Sequence, residues 1–320
     1  MFIRAFTVED YDAVSNLRNI TYCDFTKDAD ELRVRDERFP EKCRWARWVA
    51  ESDGCVVGYG EYSQNMYGYN PRKFSLNLAV HPTCYGQHIG TSLYNTVIAA
   101  IEPFDPLNVD AWSRADMPCL VGFLERRGFV SNAELFTSIL DISAFDPERW
   151  ASHVSRLSAQ GLELRSLDEL GVSDPDVQRK VYEMWLDVRQ DMPIPPGEVR
   201  AQVPFELWWD QLDVPSLFPA AFFIALDGIR FVGTSQLFRS PEAGEVRTGL
   251  TGVVRSHRRR GIALGLKVHA LTFARRLGFK RTITENSSEN VGMLAINQRL
   301  GFVRNPAWVR YVKTFGPPAS

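Results

Sequence analysis

Leu250-Thr251-Gly252-Val253-Val254 runs directly into Arg255-Ser256-His257-Arg258-Arg259-Arg260-Gly261-Ile262-Ala263, and this passage decides how the chain is read. The opening run has strand character, the turn that follows is rich in arginine, and an amphipathic helix is expected from Leu264 to about Leu277. A strand, a basic turn with a small residue and a helix N-terminus together form a phosphate cradle. The first-turn N–H groups have no intrahelical acceptor and the helix dipole favours an anion. Gly261 and Ala263 let a pyrophosphate approach the backbone.

Working outward, the same register recurs upstream at a fixed offset of 173 residues. Val80 matches Val253, Ile89-Gly90 matches Ile262-Ala263, and Leu93 matches Leu266. Glu125-Arg126-Arg127-Gly128-Phe129-Val130 matches Gln298-Arg299-Leu300-Gly301-Phe302-Val303. A gap-free offset over so long a stretch means two copies of one domain, expected at 1–150 and 160–320. The joint is expected in Ser143–Gly161, which has turn signals at both ends and room for a short helix. Strands are expected at Phe2–Phe6, Cys55–Tyr62, Phe74–Val80, Ala220–Ala225, Arg230–Phe238 and Val246–Val254, with a helix over Val177–Asp187. Strands and helices mixed in this order indicate an α/β (α+β layered) fold.

A length of 320 residues agrees with two domains, and 45% hydrophobic with 24% charged residues places the chain among globular proteins. The net charge of -2 speaks against a dedicated nucleic-acid binder, although acidic residues dominate the first half and basic residues the second. The second half is therefore the expected host of an anionic ligand. The most apolar run, Leu217–Leu226, is about half of the ~20 residues a bilayer span requires. No membrane segment or export signal is expected, and a cytoplasmic location follows. The five cysteines lack C-x-x-C spacing, so neither disulfides nor a metal site is expected.

The passage from Val253 to Ala263 resembles the GCN5-related N-acetyltransferase (GNAT) superfamily, whose Arg/Gln-x-x-Gly-x-Gly/Ala motif is matched by Arg258-x-x-Gly261-x-Ala263. A second superfamily marker, an Asn followed by a helix Tyr and a Gly-Phe pair, is represented by Asn290, Asn297 and Gly301-Phe302, with Asn297 in place of Tyr. The likeness covers both halves, as in tandem members of the mycothiol synthase type. It implies two tandem GNAT-like domains, each a mixed central sheet flanked by helices.

The resemblance implies that acetyl-CoA is the co-substrate. Its pyrophosphate would lie on Arg258, Arg259, Arg260, Gly261, Ile262 and Ala263, with Asn290 assisting. The backbone at Val253 and Val254 would face the thioester carbonyl. A primary amine of a small-molecule acceptor, with a pKa near ~10.4, must lose a proton before attacking. Glu285, after the strand Thr282-Ile283-Thr284, is the first candidate for the base, with Glu245 and Asp191 behind it. Asn297 would face the departing thiolate. Trp185, Asp191 and Trp208, on either side of Pro193-Ile194-Pro195-Pro196-Gly197, suit a cationic acceptor, or else pack under that loop.

In the first copy the same register reads Val80-His81-Pro82-Thr83-Cys84-Tyr85-Gly86-Gln87-His88-Ile89-Gly90. Tyr85 replaces the motif arginine and His88 the glycine, while Met117 and Leu124 stand where Asn290 and Asn297 do. This copy therefore reads as degenerate. The competing function is a module that holds acetyl-CoA or another acyl-CoA without transferring the acyl group. The assembly is expected to be a monomer or homodimer.

Overall fold

The computed structural model describes residues 1–316 except Tyr67, Pro195, Gly197, Glu198, Ala201, Gln211, Asp213 and Pro215. The chain forms two compact units: Met1–Leu135 with Ile194–Gln202 and Pro306–Ser320, and Phe136–Pro193 with Val203–Asn305.

In the first unit, β1 (Phe2–Ala5), α1 (Tyr11–Thr21), α2 (Ala29–Glu37), β2 (Trp45–Ser52), β3 (Cys55–Ser63) and β4 (Lys73–Val80) precede α3 (Ile89–Ile101). Then come β5 (Asn108–Arg114), α4 (Pro118–Glu125) and β6 (Val130–Asp141), whose residues from Phe136 belong to the second unit. Strands β1 to β4 are an antiparallel meander, and α3 is the crossover that makes β5 parallel to β4. Phe74 and Leu76 of β4 alternate with polar Ser75 and Asn77, so one face packs with Val97 and Ile101 of α3.

The second unit repeats the plan with α5 (Ala151–Ala159), β7 (Leu162–Ser166), α6 (Leu167–Leu170), α7 (Pro175–Arg189), α8 (Phe205–Asp210), β8 (Leu217–Asp227), β9 (Arg230–Arg239) and β10 (Glu245–Val253). It continues through α9 (Ile262–Arg276), β11 (Arg281–Ser287), α10 (Val291–Leu300) and β12 (Val303–Arg304). Helix α9 carries β10 into parallel β11, and its Leu266, Val268, Ala270 and Leu271 are buried in a core with Phe222, Ile224 and Val232. The last strand among the described residues is β13 (Trp308–Thr314).

Each sheet is completed by a segment from the far end of the repeat. In the first unit β13 lies between β5 and β6, antiparallel to both. Its Trp308 is fully buried and donates from Nε1 to Asp24 Oδ2 at 2.8 Å. In the second unit β6 lies beside β11, and β12 pairs with it through Val303–Ile139 and Arg304–Ser138. A linear division near 150 therefore differs from the compact units, because residues 136–150 belong with the second and those from 306 with the first.

The backbone carries the repeat as well. Positive φ occurs in register at Gly86 and Arg259, His88 and Gly261, Asp105 and Gly278, and Gly128 and Gly301. The loops after β4 and β10 therefore share one conformation, and His88 does occupy the glycine position.

Candidate active site

Strands β10 and β11 pair only from Glu245–Arg281 to Arg247–Ile283, and beyond that the rest of β10 has no parallel partner on β11. Between Thr248 and Thr251 β10 also carries an extra residue against Leu237–Ser235 of β9, a β-bulge. Gly249 sits in it, and a Cβ there would lie 2.4 Å from the Phe238 ring. Past the bulge, the Val254 N–H donates to Val232 C=O at 2.9 Å. Alternation of the ladder then turns the Val253 N–H away from β9, toward the side where β11 has diverged.

The loop leaving β10 is held at several points. The Arg258 Nε donates to the Val253 carbonyl at 3.0 Å, and its guanidinium lies 2.8 Å from Asp191, which Arg255 also grips. These hydrogen bonds, Arg255 first, lower the Asp191 pKa. The structure therefore brings Asp191 to the loop after β10, where a carboxylate held between two arginines is a poor proton acceptor. Arg260 reaches Gln160 and Asp227, while Arg259 is exposed at positive φ. Ile262 is buried as the first residue of α9, and Ala263 is partly buried beside it.

Sequence reasoning missed His153 of α5. Its ring lies against Gly261, so that a Cβ there would meet His153 Cε1 at 2.6 Å, and its Nε2 is 2.9 Å from the Gly261 carbonyl. That oxygen can only accept, so Nε2 carries the proton and Nδ1 is left to face Arg156 at 3.4 Å. Gly261 is thus required by its φ of 83° and by the imidazole packed on it, besides any clearance for phosphate. Gly265, one turn on, is likewise covered by Leu157. No local signal links residues 153 and 261, whose proximity arises from the packing of α5 on α9.

On α10, Asn290 is the N-cap, accepting from the Met293 N–H at 3.3 Å. Asn297 is buried and donates from Nδ2 to Asn286 Oδ1 on β11 at 2.7 Å, while its Oδ1 has no hydrogen-bond partner. Turning both amides over preserves the pair and presents Nδ2 instead. Glu285 is exposed, beyond the last β10–β11 pair. Being adjacent to Asn286, it projects from the opposite face of the strand, so Glu285 and Asn297 flank the divergence from two sides. Glu245, by contrast, is buried in an ion pair with Arg281 at 2.6 Å and accepts from Ser240.

Trp185 and Trp208 lie together, with ring centroids 5.3 Å apart, in an aromatic group with Tyr182 and Trp209. Trp208 is buried in the core, and the Trp185 face already carries the Arg189 guanidinium at 4.9 Å. Pro195 and Gly197 of the neighbouring loop lie outside the described residues.

The acetyltransferase (GNAT) family model matches residues 14–129 and again 182–302. The chain belongs to the acetyltransferase (GNAT) family. Among solved structures, this GNAT-family chain is similar to a tandem GNAT protein of the clavulanic acid biosynthesis pathway, with a TM-score of 0.74 and 18% identity over 99% of each chain. It is also similar to a GCN5-related N-acetyltransferase from Sphaerobacter thermophilus, with a TM-score of 0.69, 21% identity and coverage of 99% and 96%. At such identities the likeness is one of fold. Searching curated proteins by sequence gives no match. Among the described residues, no helix is long and apolar enough to cross a membrane and no cluster of potential metal ligands occurs.

Proposed function

We propose that the second unit binds acetyl-CoA and transfers its acetyl group to a primary amine of a small-molecule acceptor, in the cytoplasm. The observation that carries this is the coincidence of the β10 bulge and the β10–β11 divergence with an arginine-rich loop at the α9 N-terminus. Acetyl-CoA supplies the activated acyl group. The loop from Arg258 to Ala263 binds its phosphates, and the backbone at Val253 and Val254 orients the thioester. Glu285 takes the amine proton from one face of the divergence. The Asn297 amide, held by Asn286, hydrogen-bonds the sulfur from the other.

The fit has support in the site itself. Arg255, Arg258 and Arg259 are exposed around the loop, and the Asn297 Oδ1 is buried with no partner. A solved relative by fold contains a glucosamine N-acetyltransferase region, which makes amino sugars sensible first acceptors to try; this chain covers 38% of that protein, with a TM-score of 0.69 and 13% identity.

The test is release of CoA thiol from acetyl-CoA across a panel of amines, amino sugars and aminoglycosides, with acetylated products identified by mass spectrometry. Turnover with an acetylated amine is expected. Tight acetyl-CoA binding without turnover on any amine would favour the alternative, a module that holds acyl-CoA.

A further inference from the structure

The first unit contains a cavity of about 510 Å³, within the ~300–1,000 Å³ range of small-molecule sites. It extends from Ile20 at the end of α1, past Leu78 of β4 and the first turn of α3, to Cys119, Phe123 and Arg126 of α4. The sequence reading of this copy as degenerate concerned its side chains, and the loop backbone that frames the cavity is preserved. Its walls are largely apolar: Leu78, Ile89, Leu120 and Phe123.

The charge of the cavity selects the ligand. Residues 82–88 contain no lysine or arginine, whereas 255–261 contain four arginines. The pyrophosphate and 3′-phosphate of a coenzyme A nucleotide would here be desolvated against a loop without fixed positive charge. The only arginine in the lining is Arg126, whose side chain makes no ion pair among the described residues. One cation beside an apolar cleft complements one anion at the end of an apolar chain.

The strand beside the cavity also differs from its counterpart. The β3–β4 ladder is regular from Ser63–Ser75 to Gly58–Val80, without the bulge of β10. Beyond Leu76–Ala111 β4 and β5 also part, and with the His81 N–H donating to Val57 C=O at 2.8 Å the Val80 N–H turns to that side, so the difference between the two strands is confined to the bulge.

We infer that the first unit binds an acyl chain with a single terminal carboxylate, lodged between α3 and α4 with the carboxylate at Arg126. The inference is independent of the activity proposed for the second unit.

The cysteines supply the assay. Cys84 and Cys119 line the cavity, whereas Cys55 is exposed outside it. In the full chain, dodecanoate below its micellar range is expected to slow alkylation of Cys84 and Cys119 by N-ethylmaleimide, mapped by peptide mass, and to leave Cys55 unchanged. Saturating acetyl-CoA is expected not to protect them. Arg126→Ala should weaken dodecanoate about tenfold through loss of one charge-assisted contact, measured by calorimetry. Failure of dodecanoate to protect, protection by acetyl-CoA, or unchanged affinity in Arg126→Ala would each overturn the proposal.

Discussion

The loops at 82–90 and 255–263 have the same backbone and opposite chemistry. Both place positive φ at the same two positions and both open onto a long helix. In the second unit the helix N-cap is glycine, and the space beside it is filled by the imidazole of His153 from α5. In the first unit the N-cap is itself a histidine, held at a φ of 60°. A loop can thus keep its shape while the imidazole moves from a neighbouring helix to the loop and the arginines disappear. Conformation and side-chain charge are separable properties of this turn.

The largest expected effect comes from forcing the second loop toward the first. Gly261→His strains a left-handed position and drives a side chain into the His153 ring. Acetyl-CoA binding by calorimetry should fall below detection, since losing two or more charge-assisted hydrogen bonds at ~1.5–3 kcal/mol each removes several kcal/mol. Gly261→Ala should be milder and partly rescued by His153→Ala. Lack of rescue would mean that α5 does not set the room at this turn.

Next in size is the chemistry. Glu285→Gln should lower kcat/KM by roughly a hundredfold or more while acetyl-CoA still binds, as expected for loss of a general base. Unchanged rates from pH 6 to 9 would remove Glu285 from the mechanism.

A third difference lies beneath the loops, where Lys267 on α9 stands at the register position of Tyr94 on α3. Lys267 is buried beside the Phe302 ring at 5.2 Å, and desolvation brings its pKa down to about 7. The unfolded chain, with a lysine near ~10.4, then binds a proton that the folded chain does not between those values, so stability falls as pH is lowered from 10 toward 7. Lys267→Met should flatten that slope in denaturant titrations. An unaltered slope would show that the ammonium is not desolvated.

The smallest effect is the reverse exchange, His88→Gly. Removing a side chain from left-handed backbone should raise stability by about 1 kcal/mol. Acetyl-CoA stoichiometry should stay at one per chain, because the loop still lacks arginine. A second acetyl-CoA site in this variant would show that His88 alone blocks the first cleft.

Much of the second site is legible in the sequence because its signals are local. The strand into Val253, the arginines and the start of α9 are contiguous, and Asn290 followed by a helical run carries its own capping signal. Long-range features are not legible in this way. His153 approaches Gly261 across 108 residues, and the Asn297–Asn286 pair depends on how α10 packs on β11. Replacement of the motif Arg and Gly and of both Asn in the first copy suggested the loss of its site, yet a cleft is framed by helix and strand backbone that those substitutions leave in place. Likewise β6 and β13 read as ordinary alternating strands, and nothing in that alternation names the sheet each one joins.

That last assignment has a consequence for biosynthesis. The gap between β5 and β6 in the first unit is filled by residues 308–314, which are made only after strands β7 to β12 of the second unit. The nascent amino-terminal half therefore keeps unpaired strand edges until those residues have been made. Stop codons anywhere before Trp308 should yield aggregation-prone chains, including those that encode every residue of the loop after β10.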